Sequence, residues 1–201
     1  LNYEPMVYVT NNDHRFIVKE QMKEIGYLDP HLLLEPFGKN TAAAIATASA
    51  HVEKTYSSNS VMIVVSSDHH LKDIEKFRAS LSVGIEKAKE HSLVLLGSEP
   101  TNQDNRYGFI EVGKHLINKE IFEVKSFKEK PTKKDSIKFS SDINYLWNCG
   151  IFILHTQKII EEMNSHCSEI LEKARLAYKE AEIDNCFIKL SKEIFNEIPS
   201  E

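Results

Sequence analysis

Several short segments bring together residue types able to do chemistry. The first, Glu35-Pro36-Phe37-Gly38-Lys39-Asn40-Thr41, sets a carboxylate beside a glycine and the start of an alanine-rich stretch. Gly38 permits close backbone approach, and a helix starting at Asn40 or Thr41 offers unpaired N–H groups and a positive dipole end, which suits a nucleotide. Glu35 could accept hydrogen bonds from the N1–H and N2–H2 edge of guanine, which adenine lacks. The competing reading is a plain cap and turn ahead of the helix. In Ser66-Ser67-Asp68-His69-His70, Asp68 ends an apolar run and is placed to hold Mg2+ against phosphate oxygens, unless it caps the next helix. His69 and His70 are adjacent, so an extended backbone points them to opposite faces, which argues against a shared transition metal.

Later segments read as a sugar-phosphate side. Phe127-Lys128-Glu129-Lys130-Pro131 puts an acceptor beside a cation: Glu129 can bind sugar hydroxyls and Lys130 a sugar phosphate, with Pro131 stiffening the exit. The alternative is a solvated loop. In Trp147-Asn148-Cys149-Gly150, Asn148 can reach a sugar through the gap a glycine leaves, while Trp147 reads as core more readily than as a stacking platform. Arg106-Tyr107-Gly108-Phe109-Ile110-Glu111 completes the set, and no Ser/His/Asp or Cys/His triad suggests itself.

Each segment falls at the end of an expected strand, where open α/β sheets bind ligands. Met6–Thr10 reads as a buried strand after Pro5, followed by a helix through Phe16, Ile17, Met22 and Ile25 that Gly26 ends. Leu32–Leu34 is a second strand, and the alanine-rich helix runs to about Tyr56. Val61–Val65, a continuous apolar run, predicts a strand covered on both faces of a parallel sheet. Asp73 caps a helix to about His91, with Ile74, Phe77, Leu81 and Ile85 on one face, and Leu93–Leu96 is another buried strand. This alternation predicts a doubly wound α/β sheet with right-handed crossovers. Beyond Pro100 the pattern turns mixed: strands over Tyr107–Gly113, Ile121–Phe127 and Ile151–Leu154, a helix over Thr156–Ala181 broken near Cys167, and one short helix within 183–198.

Length and composition bound the rest. A chain of 201 residues predicts one domain over 1–201. A net charge of -5 without a basic block argues against nucleic acid or an anionic membrane as partner. The longest apolar runs, Ala42–Ala46 and Val61–Val65, fall far short of the about 18–20 residues of a membrane span. Three cysteines, Cys149, Cys167 and Cys186, without CxxC spacing fit neither a disulfide framework nor a zinc ribbon, and match a cytoplasmic setting.

Taken in order, Asn11–Ile25, Glu35–Ala46 (EPFGKNTAAAIA), Asp68-His69, Gly97–Glu111, Phe127–Pro131 (FKEKP) and Trp147–Phe152 (WNCGIF) resemble the mannose-1-phosphate guanylyltransferases, within the wider family of sugar nucleotidyltransferases. The resemblance runs from about Pro5 to Ser200. It implies a Rossmann-like α/β fold with a mixed, mainly parallel sheet and helices on both faces, and the reaction GTP + mannose 1-phosphate → GDP-mannose + diphosphate with Mg2+. By motif position, Glu35, Gly38 and Asn40 would meet the nucleotide, Asp68 the metal, Gly108, Glu129 and Asn148 the mannose, and Lys130 the sugar phosphate. Asp68 and Lys130 would then be the residues closest to catalysis.

The chain departs from the family pattern. Lys39 stands for a usual Arg, losing a two-pronged phosphate grip; Ala43 stands for Pro, Ser66-Ser67 for Pro-Ala and Cys149 for Ser. The family's opening glycine-rich loop has no counterpart before Gly26, its first strand is absent, and the chain stops about where a second metal-binding Asp is expected. The resemblance therefore implies a fragment with almost no turnover alone, marginally stable, pairing with another copy or needing a separate amino-terminal piece. The other readings are a relic that binds a nucleotide sugar or a protein without turnover, and a transferase for another base or sugar.

Overall fold

Strands and helices alternate along most of the chain. The computed structural model describes residues 6–28, 30–117 and 120–199; the approach to the first strand at Leu1 and Pro5, and Ser200 with Glu201, lie outside the described residues. In chain order the elements are β1 (Val7–Asn11), a 3₁₀ turn (Asn12–His14), α1 (Arg15–Glu24), β2 (His31–Glu35), α2 (Asn40–Thr55), β3 (Val61–Val64), α3 (Ile74–Lys89) and β4 (Leu93–Ser98). There follow β5 (Phe109–Ile117), β6 (Ile121–Lys128), α4 (Lys133–Ser140), β7 (Tyr145–His155), α5 (Thr156–His166), α6 (Ser168–Lys179), β8 (Glu182–Asp184), β9 (Phe187–Lys189) and α7 (Lys192–Asn196). They form two compact units, Leu1–Val61 with His155–Glu201, and Met62–Leu154.

The first unit is built on a sheet of order β1-β2-β9-β8, with β2 parallel to both neighbours and β8 antiparallel to β9. A strand paired on both sides and covered on both faces has no polar position, which is why β2 carries three consecutive leucines, each at most 1% exposed. Small residues let two helices approach closely: Ala43 and Ala46 of α2 share a core with Ala174 and Ala177 of α6, closed by Phe195 and Ile198. The expected break falls at Cys167, between α5 and α6, and Gly26 (φ +91) ends α1 in the left-handed conformation.

The second unit holds β7 with β3 and β5 beside it, β6 beyond β5, and β4 on β7. Its β4–β7, β5–β7 and β5–β6 pairs are antiparallel, so the change from parallel pairing comes one strand earlier than the sequence predicts. Val61–Val65 is not covered on both faces: only Met62 is buried and Val65 is exposed, because β3 ends its sheet. Leu93–Leu96 is half-buried, in β4, which pairs with β7 alone among the described strands. On α3, Leu81 and Ile85 are buried but Ile74 is exposed. The segment 183–198 contains the β8–β9 hairpin besides α7, and α4 is an additional helix; three-residue strands and an eight-residue helix are too short for periodicity to mark.

Candidate functional site

In the first unit, β2 delivers Glu35 to the loop that precedes α2. Its neighbours fix it on both sides: Asn11 pairs with it in β1, and Leu190 N–H donates to the carbonyl of Leu34 at 3.1 Å. The Glu35 carboxyl is 8% exposed, and its Oε1 has no hydrogen-bond partner among the described residues. Loss of hydration pushes its pKa up to about 7. A buried carboxyl without donors is costly, and native proteins tolerate it where a ligand supplies them.

The residues after Glu35 arrange the helix start. Lys39 takes the N-cap position of α2, and its side chain makes no cap bond. Asn40 is left-handed (φ 61), a conformation Asn tolerates better than most residues. A Cβ on Gly38 would meet nothing within 4 Å, so the surface there is open. Lys39 does not project as a phosphate grip: its Nζ donates to the carbonyls of Asn196, at 2.8 Å, and Ile198.

In the second unit, a continuous run of contacts links the sugar-side residues. Asp68 lies in the exposed loop between β3 and α3, and its carboxylate has no partner among the described residues. It does not cap α3; Asp73 does, accepting from Lys76 N–H at 2.9 Å. The ring of the neighbouring His69 lies beside Gly150, where a Cβ would stand 4.0 Å from its Cε1 and Nε2. Gly150 is left-handed (φ +64), and its N–H donates to Asn148 Oδ1 at 3.0 Å. The Asn148 carbonyl oxygen is thus committed, leaving its NH2 as the group that can face a ligand. Asn148 N–H donates to the carbonyl of Gly108 at 2.8 Å, and a Cβ on Gly108 would stand 2.7 Å from Glu129 Oε2. Next to Glu129, Lys130 adopts φ 41 ahead of Pro131, a strained backbone for a lysine that tends to persist at functional positions.

Asn148, Gly108, Glu129 and Lys130 are therefore neighbours along one path, with Asp68 next in sequence to the His69 that lies beside Gly150, whereas Glu35, Gly38 and Asn40 run from the end of β2 to the start of α2 in the other unit. Sequence reasoning overlooked His69 as a packing partner, because adjacency to His70 drew attention to metal binding. It also overlooked Asp104 as the partner of Arg106; their two-pronged pair (2.6 Å at its shortest) holds the loop ahead of Tyr107 and Gly108 and keeps the Asp104 carboxyl down at about 2. The Trp147 indole N–H is buried without a partner among the described residues, and the Tyr107 ring lies 5.0 Å from the indole. Burial raises the Cys149 thiol pKa, so it stays protonated and unreactive.

No group of three or more His, Cys, Asp or Glu among the described residues is placed to hold a metal ion. A lone accessible carboxylate such as Asp68 still fits Mg2+, which keeps waters and takes one or two carboxylates together with substrate phosphates. No helix among the described residues is long and apolar enough to cross a membrane.

Comparison with known proteins adds the family context. A family model described as nucleotidyl transferase matches residues 2–192. The chain is 33% identical over 205 residues to a mannose-1-phosphate guanylyltransferase of Escherichia coli, covering 100% of this chain and 44% of that protein. It is 32% identical to one from Sinorhizobium fredii, of which it covers 38%. The chain thus spans less than half the length of these curated relatives. Its backbone is similar to a crystal structure described as mannose-6-phosphate isomerase from Helicobacter pylori, with TM-score 0.85, 26% identity, and coverage of 98% of this chain and 75% of that one. The expected Rossmann-like α/β fold is borne out by that likeness.

Proposed function

This chain belongs to the nucleotidyl transferase family, and from that premise we propose that it is the guanine- and mannose-recognising part of a mannose-1-phosphate guanylyltransferase. Both units would form one transferase domain, since the matched residues run through the two of them. The observation that carries the reading is Glu35: a buried carboxyl with no partner of its own among the described residues, just ahead of the start of α2. Guanine supplies the two adjacent donors such a group lacks, and the first turn of α2 supplies N–H groups for phosphate oxygens.

On the sugar side, Glu129 and the Asn148 NH2 would hold mannose hydroxyls, with Gly108 leaving room for the Glu129 carboxylate, and Lys130 would meet the sugar phosphate. A phosphate oxygen of mannose 1-phosphate attacks the α-phosphorus of GTP in line. The bond from that phosphorus to the β-phosphate bridge oxygen breaks, and diphosphate leaves. Mg2+, when bound, neutralises phosphate charge, and Asp68 would hold it. What these side chains contribute is alignment and charge compensation, with no covalent intermediate.

Calorimetry with GTP, mannose 1-phosphate and GDP-mannose tests this. Saturable GDP-mannose binding, lost in Glu129→Ala and weakened in Glu35→Gln, is expected. Diphosphate release by the 201-residue chain alone should be near background and should rise when an amino-terminal glycine-rich piece from a relative is added. Preference for UTP or dTTP over GTP would refute the guanine assignment.

A further inference from the structure

The loop between Glu35 and α2 is held from behind. Lys39 Nζ donates to the carbonyl of Asn196 at 2.8 Å and to that of Ile198, at the carboxyl end of α7. Carbonyls at a helix end have no intrahelical partner and carry the negative end of its dipole, so an ammonium is well suited there. The same loop is fastened a second time. Phe37 meets Phe195 edge to face with ring centroids 5.6 Å apart, and Phe195 is wholly buried in the core of the first unit. The turn after α7 is itself anchored to α6, since Glu197 Oε2 pairs with Lys173 Nζ at 2.5 Å. Gly38, between the two fastened residues, keeps an open face.

An ammonium has three N–H groups, and two of those on Lys39 point into the protein. We infer that Lys39 is a positioning residue, which with Phe37 braces the nucleotide loop on α7 so that backbone N–H groups rather than its own charge meet the phosphates. The inference rests on the nucleotide reading given above. The brace orders the loop in the free chain, before any ligand is bound, whereas a phosphate ligand leaves the free loop as it is.

The test uses the 201-residue chain, Lys39→Met and Lys39→Arg, with amide hydrogen exchange in the absence of nucleotide and calorimetry with guanosine, GMP, GDP and GTP. Lys39→Met is expected to speed exchange both at residues 37–41 and at 195–198, and Lys39→Arg to restore protection, because a guanidinium can reach the same carbonyls. Binding of GMP, GDP and GTP should weaken in Lys39→Met, on the order of tenfold, the scale of losing hydrogen bonds to a charged group, and recover in Lys39→Arg. Unchanged exchange in Lys39→Met overturns the brace even if the wild type binds guanosine compounds normally. Weaker GTP binding with exchange unchanged makes Lys39 a phosphate ligand and overturns the brace as well. A wild-type chain that binds none of the four removes the nucleotide reading, and the positioning role with it. Should Lys39→Met not fold, the wild type still decides: its Lys39 ammonium protons are expected to resist water exchange in heteronuclear spectra, and ordinary fast exchange refutes the brace.

Discussion

Replacing Glu35 by Gln separates what this residue does for stability from what it does for the ligand. Unfolded, the carboxyl ionises near its ordinary 4.5; folded, burial moves that to about 7. Between those values the folded chain binds more protons than the unfolded one, so stability falls as pH rises through the window. A gap of this size corresponds to about 3 kcal/mol, fully lost above pH 7. Gln has no ionisation to lose. Urea unfolding of Glu35→Gln is therefore expected to match or trail the wild type at pH 5 and to exceed it at pH 8, the difference between the two proteins changing by about 3 kcal/mol across the range. The same change should weaken GTP binding by about 2–3 kcal/mol, because an amide presents a donor where guanine also presents one. GTP binding by the wild type should release protons near pH 7 and weaken below it, since the ionised form is the one that accepts. If the two unfolding profiles run parallel from pH 5 to 8, the carboxyl is not desolvated and the reasoning fails.

Other outcomes follow from the same geometry. Gly108→Ala places a methyl 2.7 Å from Glu129 Oε2; because that is the end of a flexible side chain, melting should change little while mannose 1-phosphate affinity drops about tenfold or more by calorimetry. Gly97→Ala meets Leu146 Cδ1 at 2.8 Å and Leu146 Cβ at 2.9 Å, close to the backbone, and should cost about 1–3 kcal/mol in urea unfolding. His51 is buried, hydrogen-bonded to His31 (3.0 Å) and to Tyr178 (3.0 Å), and burial first, then the His31 and Lys54 charges, lowers its pKa to about 4. Its folded value lies below the unfolded one, so stability should fall from about pH 6.5 towards 4, by about 3 kcal/mol in all; His51→Gln should flatten that slope. Asp68→Asn should abolish any Mg2+ dependence of GDP-mannose binding without shifting the melting temperature, since Asp68 is exposed.

Much of the architecture was readable because it rests on local rules. Asp73 caps α3, Gly26 ends α1, Cys167 interrupts the long helical stretch, and the leucines of β2 are buried as a doubly paired strand demands. What escaped depends on partners distant in sequence. Whether Val61–Val65 is covered on both faces depends on its place in the sheet, and a run of valines reads the same at an edge as at the centre. The site shows the same division. Glu35, Gly38 and Asn40 fall within six residues of one another, from the end of β2 to the start of α2, and are legible as such. That Lys39 faces α7 rather than solvent requires knowing where residues 196 and 198 come to lie, more than 150 positions later. Gly108 and Glu129 touch across two strands whose register no motif encodes.

The β5–β6 ribbon has a mechanical consequence. Among the described residues only Phe109, Ile110 and Glu111 of β5 are in register with β7, so beyond them β5 and β6 form ladder pairs only with each other, a two-stranded ribbon that is marginally stable by itself. It should fray from its far end inward, and the fraying should stop where Phe109 is pinned between Lys128 and Trp147. Gly108 and Glu129 sit just behind that pinned rung, so fraying farther along the ribbon leaves the pair at its root in place.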